Sequence, residues 1–256
     1  MPGIIKLEYE GPMAFVNLSH PGKLNAMTRA MWRELRVVFI TLQTSDVRCV
    51  VIRGEAGGFC AGGDIAEYPE FRFDERALAE FHEDDVWGGL QSILKCDVPV
   101  IAQIEGACLG AGLEIASCCD IRIAGESARF GAPIARLGFP MAAREAQIVM
   151  TAAGEMTLRE MLLEAAVHGA AEMKARGFLT RVVADAKVAA EALKSAHHIA
   201  ALAPQAARLN KKIIRALKAY PASAAAKMTT IAYRYADSAE HREGITAFLE
   251  KRKPDF

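Results

Sequence analysis

Two stretches of this 256-residue chain repeat one order: a short run rich in β-branched residues, a glycine-rich loop, then a helical pattern. The first is residues 47–53 running into Gly57-Gly58-Phe59-Cys60-Ala61-Gly62-Gly63-Asp64. The second is residues 99–104 running into Gly106-Ala107-Cys108-Leu109-Gly110-Ala111-Gly112. Strand, loop and helix in this order specify α/β architecture. A hairpin is predicted ahead of them, from residues 4–9 and 13–18 around Gly11-Pro12. Met31, Leu35, Val38, Phe39 and Leu42 recur at helical spacing over residues 28–44, with Thr28 as N-cap. A polar helical region is predicted up to about Leu94, and residues 120–124 read as a strand. From about Ala142 to Lys253 the chain is mostly helical and rich in Ala, with one strand-like run at residues 179–184. The alanines of residues 188–203 permit either close helix packing or a face turned to a partner. No linker rich in Pro or Ser divides the chain. The expectation is an α/β core over residues 1–195 carrying a helical oligomerisation region, residues 196–256.

Composition removes several functions. Lys plus Arg and Asp plus Glu each number 31, so the formal net charge is zero; broad binding to nucleic acid or to an anionic membrane is not expected. No apolar run reaches the roughly 18 residues of a spanning helix. The start, Met1-Pro2-Gly3-Ile4-Ile5-Lys6, lacks the pattern of a secretory signal, so a cytoplasmic protein is expected. The six cysteines form no C-x-x-C pair and no H-E-x-x-H occurs. No metal site is expected, and the thiols read as buried small hydrophobes.

The two loops carry the candidate chemistry. Glycine lets backbone approach a ligand closely, and an N–H at a helix start has no internal partner. Two such groups converging on one point form an oxyanion hole; two ordinary tight turns are the plainer alternative. Glu114 lies three residues after Ala111, on the same helical face. Among Leu113, Ile115 and Ala116 its pKa should rise through desolvation, which suits acid–base work; an exposed helix glutamate is the alternative. Asp64 reads as either a loop ligand or an N-cap.

In these segments the chain resembles the crotonase superfamily, the enoyl-CoA hydratase/isomerase family. The resemblance begins at His20-Pro21-Gly22-Lys23-Leu24-Asn25-Ala26-Met27 and includes Phe59-Cys60-Ala61-Gly62-Gly63-Asp64-Ile65. It runs through Pro99-Val100-Ile101-Ala102-Gln103-Ile104-Glu105-Gly106, the turn from Gly110 to Glu114, and Cys119-Asp120-Ile121-Arg122. It ends at Glu243-Gly244-Ile245-Thr246-Ala247-Phe248-Leu249-Glu250-Lys251-Arg252-Lys253. The resemblance implies a crotonase-like spiral of ββα units followed by helices that pack homotrimers or homohexamers. It implies an acyl-CoA substrate, with no cofactor beyond the CoA that the substrate carries. It places the two oxyanion-binding amides on Ala61 and Ala111, and makes Glu114 a catalytic acid–base that orients water. It implies acyl-CoA contacts from Lys23, Asn25, Ala26, Ala61, Gly62, Gly63, Asp64, Ile65, Gly110, Ala111, Ile134 and Lys251.

One departure limits the activity this implies. Hydratases of the family use a second glutamate, and its position after Phe130-Gly131-Ala132-Pro133 holds Ile134 here. Glu114 alone handles addition or elimination of water at a 2-enoyl-CoA, or the reaction is a double-bond isomerisation or a decarboxylation, or another carboxylate serves. Glu145, Glu67, Glu83, Asp84 and Asp85 are candidates, each read first as a solvated surface group. Arg136 and Arg144 could pair with a substrate carboxylate or with Glu145, or lie on helix surfaces. Tyr68 reads as a packing aromatic or as a hydrogen-bond donor to the acyl group.

Overall fold

The computed structural model describes residues 2–217 and 236–254. Strands β1 (Ile4–Glu10) and β2 (Met13–Ser19) form the expected hairpin, and α1 (Arg29–Gln43) follows. Thr28 caps α1 by accepting from the Met31 amide at 3.1 Å. The chain continues through β3 (Cys49–Gly54), a 3-10 segment (Ile65–Glu70), α2 (Glu75–Glu80), a π-helical turn (Phe81–Val86) and α3 (Trp87–Lys95). Next come β4 (Val100–Ile104), β5 (Ala107–Leu109), α4 (Ala111–Cys118), β6 (Ile121–Gly125), β7 (Arg129–Gly131) and a 3-10 turn (Ile134–Leu137). Helices α5 (Ala143–Ala153) and α6 (Glu155–Leu163), strand β8 (Val167–Gly169), helix α7 (Ala170–Ala175) and strand β9 (Arg181–Val183) follow. Helices α8 (Val188–Ala200), α9 (Pro204–Leu217) and α10 (Ala239–Leu249) complete the described chain.

Six strands form one sheet in the order β1-β2-β3-β4-β6-β9, antiparallel only at β1–β2. A smaller sheet has the order β5-β7-β8. Each turn of the chain lays a strand on the large sheet, a short strand on the small one, then a helix: β4–β5–α4, then β6–β7–α5. The turn starting at β3 follows the same course, because Cys60 bridges Cys108 in parallel register. This is the ββα spiral. The short strands β5, β7 and β8 escape a sequence reading because three residues are too few to display period-two alternation.

The central strands β2, β3 and β4 are buried on both faces, as parallel strands between layers must be. Alternate residues take opposite sides. Val16, Leu18, Val50, Ile52, Val100 and Ala102 join α1 in the main core; Met13, Phe15, Cys49, Val51, Ile101 and Ile123 meet α8 on the other side. The alanine-rich stretch is thereby explained: Ala192, Ala196 and Ala200 bring α8 close to the sheet. Helix α8 also runs through residue 195, so the core continues past the expected boundary. Part of the expected oligomerisation region, residues 218–235, lies outside the described residues. No helix among the described residues is long and apolar enough to cross a membrane.

Candidate active site

The strand ends β3 and β5 deliver the two glycine loops to one place. Cys60 donates to the Ala107 carbonyl at 2.9 Å, and Leu109 donates to the Cys60 carbonyl at 3.0 Å. A methyl group on Gly112 would collide with the Cys60 carbonyl, and Gly110 adopts a φ of +48° beside the Gly62 backbone. Only glycine permits this apposition. Below the junction lies a cavity of about 340 Å³. Its wall includes Gly62, Gly63, Ile65, Gly110, Ala111, Glu114, Ile134 and Glu145.

The hydrogen-bond pattern decides which amides serve the cavity. The Ala61 amide donates to the Leu24 carbonyl at 3.0 Å, which corrects the expectation that it holds a ligand oxygen. The donor moves two residues along. Met27 takes the Gly62 carbonyl and the Asp64 amide, both at 2.8 Å. In an extended strand the intervening residue faces the other way. The Gly63 amide therefore points away from Met27, and it has no acceptor among the described residues. Ala111 opens α4 behind Gly110, and its amide likewise has no acceptor among the described residues. Gly63 and Ala111 thus present two N–H groups without an acceptor among the described residues, one per loop.

Other expected ligands have structural roles. The Asn25 side chain donates to the Glu55 and Gly58 carbonyls (2.8 and 2.9 Å) and accepts from the His20 amide (3.1 Å). It braces the first loop and does not line this cavity, a structural role in place of its expected contact with substrate. Ala26 is buried, and its carbonyl lies 2.8 Å from His20 Nδ1. Asp64 caps the 3-10 segment through the Ala66 amide and pairs with Lys23 at 3.1 Å. Lys23 and Lys251 are exposed, Lys251 three residues beyond Phe248 of the cavity wall.

Glu114 sits one turn into α4, 6% exposed, and no donor contacts its carboxyl among the described residues. Burial pushes its pKa well above the usual carboxylate range, and the charge of Glu145 adds to the rise. Glu145 corrects its expectation as a surface group. It is 4% exposed, on the α5 face that also buries Ile148 and Val149, and it lines the same cavity. Burial raises its pKa too, opposed by Arg72 and by the Ala142 amide at the start of α5. Its Oε1 lies 2.7 Å from His82 Nδ1. Burial pushes the His82 pKa well down, so the imidazole is neutral.

Arg72 completes the charge set. It is 1% exposed, its guanidinium 4.3 Å from the Tyr68 ring centre and 3.9 Å from that of Phe139. Tyr68 itself packs edge-on to Phe71, Phe81 and Phe139. Arg72 Nε is 3.4 Å from Nε2 of His241, whose pKa burial pushes down to about 4. The like charges of Glu114 and Glu145 oppose each other, so the buried pair retains a proton where free carboxyls have lost theirs. Such a pair offers an acid and a base together.

The remaining candidates are engaged with other partners or exposed. Glu83 pairs with Arg144 at 2.9 Å, Asp85 with Arg29 and Arg33, and Asp84 is exposed. Glu67 accepts from the Arg29 amide at 2.9 Å. Arg136 lines the cavity and donates to the Ala165 carbonyl at 3.0 Å. Among the described residues one group has metal-ligand proximity: Glu160, His168 and Glu172. Arg176 already lies 2.7 Å from both of those carboxylates.

His82, Arg72 and the amide role of Gly63 are what sequence reasoning misses; Glu145 it offers as a candidate carboxylate but reads first as a surface group. Two had a readable signal. Glu145 shares a helical face with Ile148 and Val149, and Arg72 stands between Phe71 and Phe73.

The family model described as enoyl-CoA hydratase/isomerase matches residues 8–256. A short-chain-enoyl-CoA hydratase of Clostridium acetobutylicum is 32% identical over 250 residues, covering 96% of this chain and 95% of the relative. The crystal structure of an enoyl-CoA hydratase/carnithine racemase from Magnetospirillum magneticum superposes with a TM-score of 0.82 at 36% identity, covering 99% of this chain and 95% of that one. A methylmalonyl-CoA decarboxylase in complex with 2-nitronate-propionyl-CoA superposes with a TM-score of 0.87 at 27% identity, covering 99% and 98%.

Proposed function

The chain belongs to the enoyl-CoA hydratase/isomerase family, and from that premise we propose that it adds water to the double bond of a 2-enoyl-CoA. The observation that carries the reading is the burial of Glu145 beside Glu114 in one cavity. A second carboxyl thus stands in the site although Ile134 occupies the family's position for it.

The thioester oxygen sits between the Gly63 and Ala111 amides. As water bonds to Cβ, the π electrons move toward that oxygen and the two N–H groups stabilise the enolate. One carboxylate accepts the proton of the attacking water, and one carboxylic acid protonates Cα. Loss of one donor from such a hole typically costs about 3–4 kcal/mol of transition-state stabilisation. Ile134, Leu137, Phe139 and Met141 form the apolar wall for the acyl group. Lys23 and Lys251 are the exposed cations for the CoA phosphates. Glu114 and the two amides need no cofactor beyond the CoA of the substrate.

We assign the assembly as a homotrimer or homohexamer; exposed Ile213, Ile214 and Leu209 on α9 support a covered surface there. A cytoplasmic location fits six free, buried thiols.

Crotonyl-CoA and longer enoyl-CoAs should lose their conjugated absorbance with the enzyme, the product gaining the mass of one water. A product of unchanged mass would replace hydration by isomerisation, and loss of CO₂ from a carboxyacyl-CoA would replace it by decarboxylation. No turnover of any enoyl-CoA at saturating CoA ester overturns the reading.

A further inference from the structure

The two carboxyls of the cavity are not held alike. Glu145 Oε1 has His82 Nδ1 at 2.7 Å, while the Glu114 carboxyl has no donor among the described residues. Both ends of the His82–Glu145 contact are buried, at 6% and 4% exposure. A neutral imidazole offers Nδ1 either as donor to a carboxylate or as acceptor from a carboxylic acid, depending on its tautomer. His82 lies in the π-helical turn between α2 and α3, a distortion that often marks functional positions.

We infer that His82 is a positioning residue that donates from Nδ1 to Glu145, making Glu145 the carboxylate that takes the proton of water and leaving the shared proton on Glu114. The inference rests on the hydratase reading and deepens it. Glu145 accepts a proton from water as oxygen bonds to Cβ; Glu114 gives its proton to Cα as the enolate collapses. Glu145 is then protonated and Glu114 ionised, and return of one proton from Glu145 to Glu114 resets the pair.

The surroundings of His82 agree. Burial and the charge of Glu83 favour a neutral Glu145, and the His82 contact acts with Arg72 and the Ala142 amide toward its ionised form. Arg72 also disfavours a charge on His82, while Glu83 favours one and is itself paired with Arg144 of α5. His241, from α10, is neutral and adds no charge. Glu114, from α4, is raised by burial and by the charge of Glu145. The ring of Phe81 stands edge-on to the imidazole at 5.0 Å.

Nitrogen NMR of the intact protein labelled with ¹⁵N-histidine reads the tautomer directly, the His82 signals being identified by their loss in His82→Asn. Protonated Nδ1 with unprotonated Nε2 across pH 6–8 is expected; the opposite tautomer overturns the inference, whether or not the enzyme hydrates. The pH profile of kcat/KM gives the second readout. In His82→Ala the acidic limb should move up by about one pH unit, with kcat falling roughly 10–100-fold and KM little changed. His82→Asn, whose amide restores a donor near Nδ1, should return the limb toward the wild-type position. A kcat loss with an unmoved limb and no rescue by Asn makes His82 merely structural. An Nδ1–H tautomer in an enzyme that hydrates no enoyl-CoA would leave the hydrogen bond intact and remove the hydratase reading instead.

Discussion

Glu114 and Glu145 are costly residues for the fold. Burial raises both pKa values, so the native pair still holds a proton at a pH where the unfolded chain has released both. The native state binds more protons above about pH 4.5, so stability falls as pH rises toward the native pKa values. Glu114→Gln removes that dependence without changing shape. The variant should be more stable than wild type near pH 8, and the difference should vanish near pH 4. Urea denaturation at several pH values checks this; a pH-independent difference contradicts it. The same substitution, and Glu145→Gln separately, should lower kcat by roughly 10²–10⁴-fold while CoA-ester affinity, measured by calorimetry, stays within a few-fold. The sequence shows Glu114 by its apolar neighbours. It shows Glu145 less well, because a carboxylate in a helix's first turn is also what a solvated helix start favours.

At the scale of elements, the two glycine loops work only as a pair. A Cβ on Gly112 meets the Cys60 carbonyl, backbone that cannot swing aside. Gly112→Ala should separate the loops and cost activity more than stability. A kcat/KM lowered at least 100-fold is expected, corresponding to about 2.7 kcal/mol of lost transition-state stabilisation. Asn25→Ala attacks the same geometry from behind. It leaves the Glu55 and Gly58 carbonyls and the His20 amide without their partner, and should destabilise the protein by roughly 1–3 kcal/mol. Thermal unfolding with unaltered stability would show the brace to be dispensable. The loops, their flanking strands and the helix opened by Gly110 were legible because β-branched runs and glycine clusters are local signals. The choice of amide was not. Ala61 and Gly63 are two residues apart, and which one faces the cavity depends on the pairing of residues 62 and 64 with Met27, a contact made across the fold.

The whole molecule closes the cavity with its far end. Helix α10 returns from the C-terminal part of the chain to lie on the 3-10 turn Ile134–Leu137, where a methyl group on Gly244 would strike the Leu137 backbone. Gly244→Ala should lift α10 and loosen the wall that Phe248 completes. Its KM for enoyl-CoA should rise more than kcat falls, in steady-state kinetics on chains of two lengths. Helix α9 is anchored differently, by Lys211–Asp120 and Arg215–Asp97 ion pairs at 2.7 and 2.8 Å. Periodicity foretells that these helices exist; their docking onto the core depends on distant partners that no local pattern contains.

The measurement that bears most directly on the site is a crystal structure with an unreactive acyl-CoA bound. The thioester oxygen should lie within hydrogen-bond distance of the Gly63 and Ala111 amides, with Cα and Cβ between the carboxyls of Glu114 and Glu145. A thioester oxygen held by other groups, or an acyl chain directed away from Glu145, would contradict it.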